Sequence, residues 1–439
     1  MHMSPRIVCA VLSLMLGLLV SLSLSAQPPG PEPRVEAGKN LSAAGALFAR
    51  PAADRYWQAV DPKATVHSRD LLLALPGIKA SLEPRAESVH LTLWGNLPEI
   101  SAFPGFESEV VLHDSRAFDL DFSLVRGRVV MTNTKARGPA RVWVRLPGTA
   151  WQLTLPERGD EVALEVYGRW PRGVTFSKEP RLGEGPTRVA NVEVLKGRVD
   201  LATAGIAHSL TAPPGPAYFH WDSVAGADIG PQKRDALPAW ADAKAARSPE
   251  RQTAEQVAAA FQTGLKGREP ATALLELLGQ ADREADKTRA RIQREFAILG
   301  LAALDDLPQV AEALADKNAA VRETATIALR HWIGESAGRD LALYQVLIER
   351  LNYPEAQAET VLQLLHSPFQ ADQPESLRTL LAYLRHEKLA VRSLALWHLR
   401  RQMPAGKDIP LDPAAPEAER DKGYSEWRKL IASGSTEKK

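Results

Sequence analysis

The sequence predicts a multidomain β-then-α architecture: an antiparallel β sandwich or roll followed by a short α-solenoid. Three observations carry that expectation. Apolar and polar residues alternate with a period of two from about residue 40 to 225. Gly and Pro break the alternation at roughly ten-residue spacing. From about Ser248 the apolar period becomes helical, and two segments 70 residues apart align without a gap.

The elements follow in chain order. Residues 1–26 open with the weakly basic Met1–Arg6, continue through the apolar run Ile7–Val20 and end in alternating Ser and Leu before Ala26. That pattern predicts a secretory signal peptide cleaved after Ser25 or Ala26. The alternative is a retained anchor, because a helix over 7–26 would reach about 30 Å, enough to cross a bilayer. Either way the bulk of the chain is expected to be periplasmic or extracellular. The one cysteine, Cys9, lies in this leader, so the remainder has no thiol with which to form a disulfide or bind a metal. Residues 27–39 are rich in Pro and Gly and read as a linker.

Residues 40–230 form the β module. Phe118–Leu124 alternates without an error, and Arg141–Leu146, Trp151–Leu155 and Glu161–Tyr167 each keep their aliphatic residues on one face. Pro147-Gly148, Pro156, Gly159-Asp160 and Pro171-Arg172-Gly173 supply the turns. No long helical segment interrupts the run, which argues against a βαβ enzyme scaffold. Two phrases echo each other: Leu124–Val130 and Val194–Leu201 both place Gly-Arg-Val between apolar residues.

With the stretch from Gly127 to Gly168, including Asn133 and Gly138-Pro139, these phrases resemble the FecR-like extracytoplasmic sensor domain over about residues 42–225. The resemblance implies an extracytoplasmic sensing or interaction role. Regulators of that family also carry a cytoplasmic segment that controls a sigma factor. Only six residues precede the apolar leader here, so direct sigma-factor control is not expected.

Residues 231–251 read as a second linker and 252–431 as the helical part. Leu314–Ile333 matches Leu384–Met403 at Ala320/Ala390, Val321/Val391, Arg322/Arg392, Ala325/Ala395, Leu329/Leu399 and Arg330/Arg400. A short polar turn precedes each copy, Asp316–Asn318 or His386–Lys388. A turn, then Val-Arg, Ala four positions after the Val and Leu four later resembles a HEAT or armadillo-type repeat. Ala356–His366 fits a degenerate copy between the two, and Ile292–Leu304 an earlier one, giving about four units. In such repeats the arginine matching Arg322 and Arg392 pairs with acidic residues of an adjacent repeat; a ligand-binding arginine row is the other reading. Tyr424, Trp427, Leu430 and Ile431 make an apolar stripe on a final helix from about Ala415, expected to cap the last repeat before a disordered tail at 432–439.

Net charge is close to zero, with 54 basic against 53 acidic residues, so no bulk attraction to nucleic acid is implied. Six tryptophans fall in the β half. Trp151 is in phase with Leu153 and Leu155 and belongs to the core, whereas Trp94 and Trp143 are out of phase and face the other side, where packing against a flank or second sheet is expected and contact with a cell-wall glycan is the alternative. Catalytic signatures are missing. His113-Asp114-Ser115 has the letters of a hydrolase, but neighbours on a strand face opposite ways. Glu87-x-x-His90 has no partner motif, and His331 and His398 lie on repeat helices, where a structural role is expected. No phosphate-binding glycine loop is present. The expectation is therefore an exported, non-enzymatic interaction, scaffold or sensor protein of the bacterial cell envelope, without cofactor or metal, with an envelope protein as partner. The interaction candidates are Arg322, Arg392, Trp94 and Trp143. The rival readings are a carbohydrate-binding module and a membrane-anchored signalling regulator.

Overall fold

A single strand organises the β part. The structure is a computed structural model that describes residues 33–436 apart from 53, 55, 182, 204, 227–229, 266, 367 and 371; the expected leader lies outside the described residues. Two sheets share the 14-residue strand β9 (Leu120–Asn133). The first runs β4 (Thr65–His67), β1 (Glu36–Asn40), β6 (Lys79–Pro84), β7 (Val89–Trp94), the second half of β9, β12 (Glu161–Arg169), β13 (Thr187–Lys196), β16 (Tyr218–Asp222). The other runs β15 (Ile206–Thr211), β14 (Arg198–Thr203), β11 (Thr149–Leu155), β10 (Ala140–Leu146), the first half of β9, β8 (Ser108–His113), β5 (Leu71–Ala74), β2 (Phe48–Arg50), β3 (Gln58–Ala59). Among the described strands all pairings are antiparallel except β9 with β10, which is parallel.

Gly127 makes the double use of β9 possible. Its φ is +91°, and a Cβ there would lie 1.9 Å from the Glu107 carbonyl oxygen. The core set on β9 changes phase across it, from Leu120, Phe122 and Leu124 to Val129 and Met131. Gly197 does the same in reverse, at φ +69° between β13 in one sheet and β14 in the other, where a Cβ would meet an Asp160 carboxylate oxygen. The two Gly-Arg-Val phrases thus lie at two corners where the chain passes directly from one sheet to the other, within β9 and between β13 and β14. Trp151 sits between the sheets, edge-on to Phe219 and Trp221.

The helical part is α1 (Pro249–Leu265), α2 (Pro270–Ala281), α3 (Lys287–Ala303), α4 (Leu307–Glu312), α5 (Ala319–Gly334), α6 (Arg339–Glu349), α7 (Glu355–His366), α8 (Pro374–Tyr383), α9 (Leu389–Gln402) and α10 (Glu417–Thr436). Carboxylate and amide side chains start several of them: Glu269 accepts from the amides of Ala271 and Thr272, Asp286 from Thr288 and Arg289, Asn318 from Ala320. The aligned copies fall on α5 and α9, the degenerate copy on α7 and the early one on α3. In α10 the apolar stripe is placed as expected, with Trp427 fully buried and Ile431 nearly so. The helix runs on to Thr436, into the stretch expected as tail. At the other end, β1 begins at Glu36, inside the stretch expected as a linker.

From Glu36 on, the described residues make one compact unit, so the strands and helices share a core rather than standing apart. Gly168 on β12 and Gly334 at the end of α5 touch backbone to backbone; a Cβ on Gly168 would lie 1.9 Å from the Gly334 carbonyl oxygen. Trp170 donates its indole N–H to the Ile333 carbonyl at 3.0 Å, and Gln363 on α7 exchanges hydrogen bonds with the backbone of Phe176.

A buried ionic cluster completes the junction. Arg126, 1% exposed, pairs with Glu107 at 2.6 Å and Glu109 at 2.7 Å and donates to the carbonyl of Ala303 at the end of α3. His331 on α5 lies 3.3 Å from Glu107 and 3.4 Å from Glu335, and Glu335 pairs with Arg188 at 3.0 Å. Burial opposes charge on Glu107, yet Arg126 and then His331 hold its carboxyl below the ordinary range. At Glu109 burial wins and pushes the carboxyl up. Even the segment expected as a linker is engaged: Trp240 and Leu237 form a small second core with Val130, Ala163 and Leu195 on the first sheet.

Candidate interaction groove

Arg322 and Arg392 occupy equivalent positions on α5 and α9 and make equivalent bonds. Each guanidinium donates to the two carbonyls of the turn before its own helix, Asp316 and Lys317 for Arg322, His386 and Glu387 for Arg392. These are carbonyls that no helix satisfies, so the arginine closes the turn it follows. Their remaining donors converge on one loop: Arg322 pairs with Asp412 at 2.7 Å, and Arg392 donates to the Pro413 carbonyl at 2.8 Å. The acidic partner of Arg322 is thus on the loop before α10, not on a neighbouring repeat.

Between α5, α9 and that loop lies a groove of about 360 Å³, lined by Arg322, Glu323, Ser393, Trp397, Arg400, Arg401 and Asp412, with Leu396, Leu411 and Pro413 as apolar wall. Trp397 is half-buried on the α9 side of the groove. Arg401 lies over the ring at 4.6 Å and Arg330 at 4.9 Å, so one indole serves two cations. Among the described residues no carboxylate lies within ion-pair distance of Arg330, Arg400 or Arg401. Burial, and then the field of Arg401, pulls the Arg330 guanidinium down to about 10. The Ser393 hydroxyl is buried without a hydrogen-bond partner. The groove can therefore accept negative charge alongside an apolar group.

The two tryptophans proposed for glycan contact are both partly covered. Lys79 Nζ stands 3.3 Å above the ring of Trp94, whose edge meets Trp240 at 4.9 Å. Burial pulls that lysine down to about 8. Trp143 stacks on Phe118 at 5.4 Å with the planes 27° apart. The two belong to different sheets, Trp94 to β7 and Trp143 to β10, and do not come together.

The remaining candidates disperse. His113 Nε2 bonds Ser123 Oγ at 2.8 Å, Asp114 pairs with Arg85, and Ser115 Oγ accepts from the amides of Ala117 and Phe118. His398 bonds the Leu364 carbonyl at 2.6 Å, and burial pulls it down to about 4. Among the described residues no group of three His, Cys, Asp or Glu is placed to hold a metal ion, and no helix is long and apolar enough to cross a membrane.

Comparison of the chain with protein-family models, with curated proteins and with solved structures finds no match in any of the three.

The sequence reading missed Trp397, Arg330, Arg400 and Arg401 as a site, although a signal was present. On a helix, surface cations are ordinarily matched by acids three or four positions away. Arg330, Arg400 and Arg401 have none at those positions.

Proposed function

We propose that this is an exported protein of the bacterial cell envelope that works by binding another protein, as scaffold or sensor, rather than by catalysis. Its helical repeats supply the binding face, in line with their likeness to HEAT-type repeats, and its β part, with its likeness to FecR-like domains, braces them. The observation that carries the reading is the groove between α5 and α9: Arg401 and Arg330 lie over a half-buried tryptophan, Arg400 lines the wall beside it, and among the described residues none of the three is within ion-pair distance of a carboxylate. Arginine charge that no internal carboxylate neutralises, set beside an aromatic anchor, is the composition of an interface hot spot.

The junction between the two parts supports this role. Arg126, Gly168 and Trp170 fix the ends of α3 and α5 against the sheets, so the α5 wall of the groove is braced, and a braced wall lowers the ordering cost of binding. The test is a C-terminal tag on the full chain, crosslinking in intact cells, and mass spectrometry of what purifies. One envelope protein recovered in near-stoichiometric amount supports the reading. Retention on cell-wall polysaccharide with no protein partner overturns it and moves function to the β part. The same sample shows whether the N-terminus lies near Gln27, and alkaline extraction of membranes shows whether the leader is kept.

A further inference from the structure

We infer that the groove between α5 and α9 takes a carboxylate-rich extended segment of the partner, with an apolar side chain of that segment against Trp397. The inference rests on the interaction reading above and adds the chemistry of the occupant. The groove already holds one carboxylate of this chain. Asp412, on an exposed loop, reaches in and is bound by Arg322 at 2.7 Å and by the amide of Ala414 at 2.9 Å. Arg322 is itself fixed by two carbonyls and nearly fully buried, so that acceptor position is rigid. One carboxylate of the chain is thus already seated against a groove arginine.

The positions next to Asp412 repeat its chemistry without an internal occupant. Arg400 and Arg401 leave α9 in the last turn, exposed, with no acid in reach. Helix C-termini attract cations, so two arginines there are not strained; Arg401 lies over Trp397, and no acid among the described residues engages either fork. The unpartnered Ser393 hydroxyl adds a donor on the same helix, and Leu396, Leu411 and Pro413 an apolar wall. Glu323 is also at the lining and excludes a uniformly anionic ligand from that side. A segment alternating acidic and apolar residues matches this pattern better than a polyanion does: its acids meet Arg400 and Arg401 while the residue between meets Trp397.

The probe is a fluorescein-labelled peptide of about ten residues alternating Glu and Leu, with the same peptide carrying Gln for Glu as control. Binding to the purified protein is read by anisotropy at about 50 mM salt, where screening of surface charge is weak. The wild type is expected to bind the Glu peptide and not the Gln peptide. R400E/R401E changes two exposed side chains and should weaken binding at least about tenfold, a difference of about 1.4 kcal/mol. K233E/K244E makes the same charge change on exposed lysines of the 231–248 segment and should leave binding within about twofold. Equal losses in the two variants would overturn the inference, because bulk charge alone would then account for binding. So would failure of the wild type to bind the Glu peptide, or binding of heparin in its place. A crosslinked partner recovered together with any of those results would leave the interaction reading standing and discard only this occupant.

Discussion

Replacing Glu295 by glutamine should make the protein more stable above neutral pH and leave it unchanged at pH 5. Glu295 on α3 and Glu99 in the loop after β7 share the guanidinium of Arg291, each at 2.8 Å. Both carboxyls are nearly buried, one oxygen of Glu99 has no hydrogen-bond partner, and Glu323 on α5 adds its negative field. One arginine cannot neutralise two carboxylates. Burial first, and then the charge of Glu99, push the Glu295 carboxyl up from 4.5 to about 8.

The sign follows from proton binding. Between about pH 4.5 and 8 the folded chain holds a proton on this pair that the unfolded chain has released, so stability falls as pH rises through that window. It is greatest below the unfolded value and is lost on passing the folded one. At 1.36 kcal/mol per unit the ceiling is about 5 kcal/mol. Arg291 is 42% exposed, so water shares the site and about 2 kcal/mol is the working figure. A glutamine side chain keeps the shape of a protonated glutamate and carries no such cost. At about 2.1 cal/mol/K per residue over roughly 400 residues, the variant's Tm should exceed the wild type's by about 2–3 °C at pH 8.5. Calorimetry from pH 5 to 8.5 reads the difference. A gap between the two curves that stays constant with pH would refute the reasoning, and so would a gap that narrows as pH rises.

The junction between sheets and helices offers further tests. Gly168→Ala forces a methyl against the Gly334 carbonyl and should cost about 3 kcal/mol or more, whereas Gly279→Ala, in a helix with open space around it, should gain about 0.5–1 kcal/mol; thermal midpoints compare them. Arg126→Met leaves Glu107 and Glu109 buried without their cation and should cost about 3–5 kcal/mol in urea unfolding, a loss that Glu109→Gln in the same chain partly reverses. Trp427→Ala empties the site that closes on Gly406 and should cost about 3–5 kcal/mol, with faster tryptic cleavage at Lys422 and Arg428 as α10 loosens.

Where period and position agree, the sequence carried the structure openly. The alternation at 141–146, 151–155 and 161–167 became β10, β11 and β12, and the 70-residue repeat became α5 and α9 with their arginines in matching roles. The corners were harder. Gly127 looks like a turn in sequence, and it is instead the mid-strand bend at which one strand passes between two sheets. A positive φ is the same signal in both cases; only the partner strands β8 and β12, more than ten residues away on either side, decide which it is.

The relation between the halves was hidden for a different reason. Glu107 and Glu109 flank Ser108, and Arg126 stands beside Gly127, so the local sequence offers charged residues at and beside strand ends, where exposure to water is the ordinary expectation. In the fold a second layer, α3 and α5, covers them, and the same charges become a buried cluster satisfied by His331, Glu335 and the end of α3. Alternation reports which side of a strand is apolar; it carries no information about what covers the other side. That distinction bears on function. Deleting the helices would strip the cover from Arg126 and its acids and unfold the β part with them, so binding cannot be assigned to one half by truncation. Point changes at exposed groove residues are the proper instrument, because among the described residues no carboxylate pairs with Arg400 or Arg401.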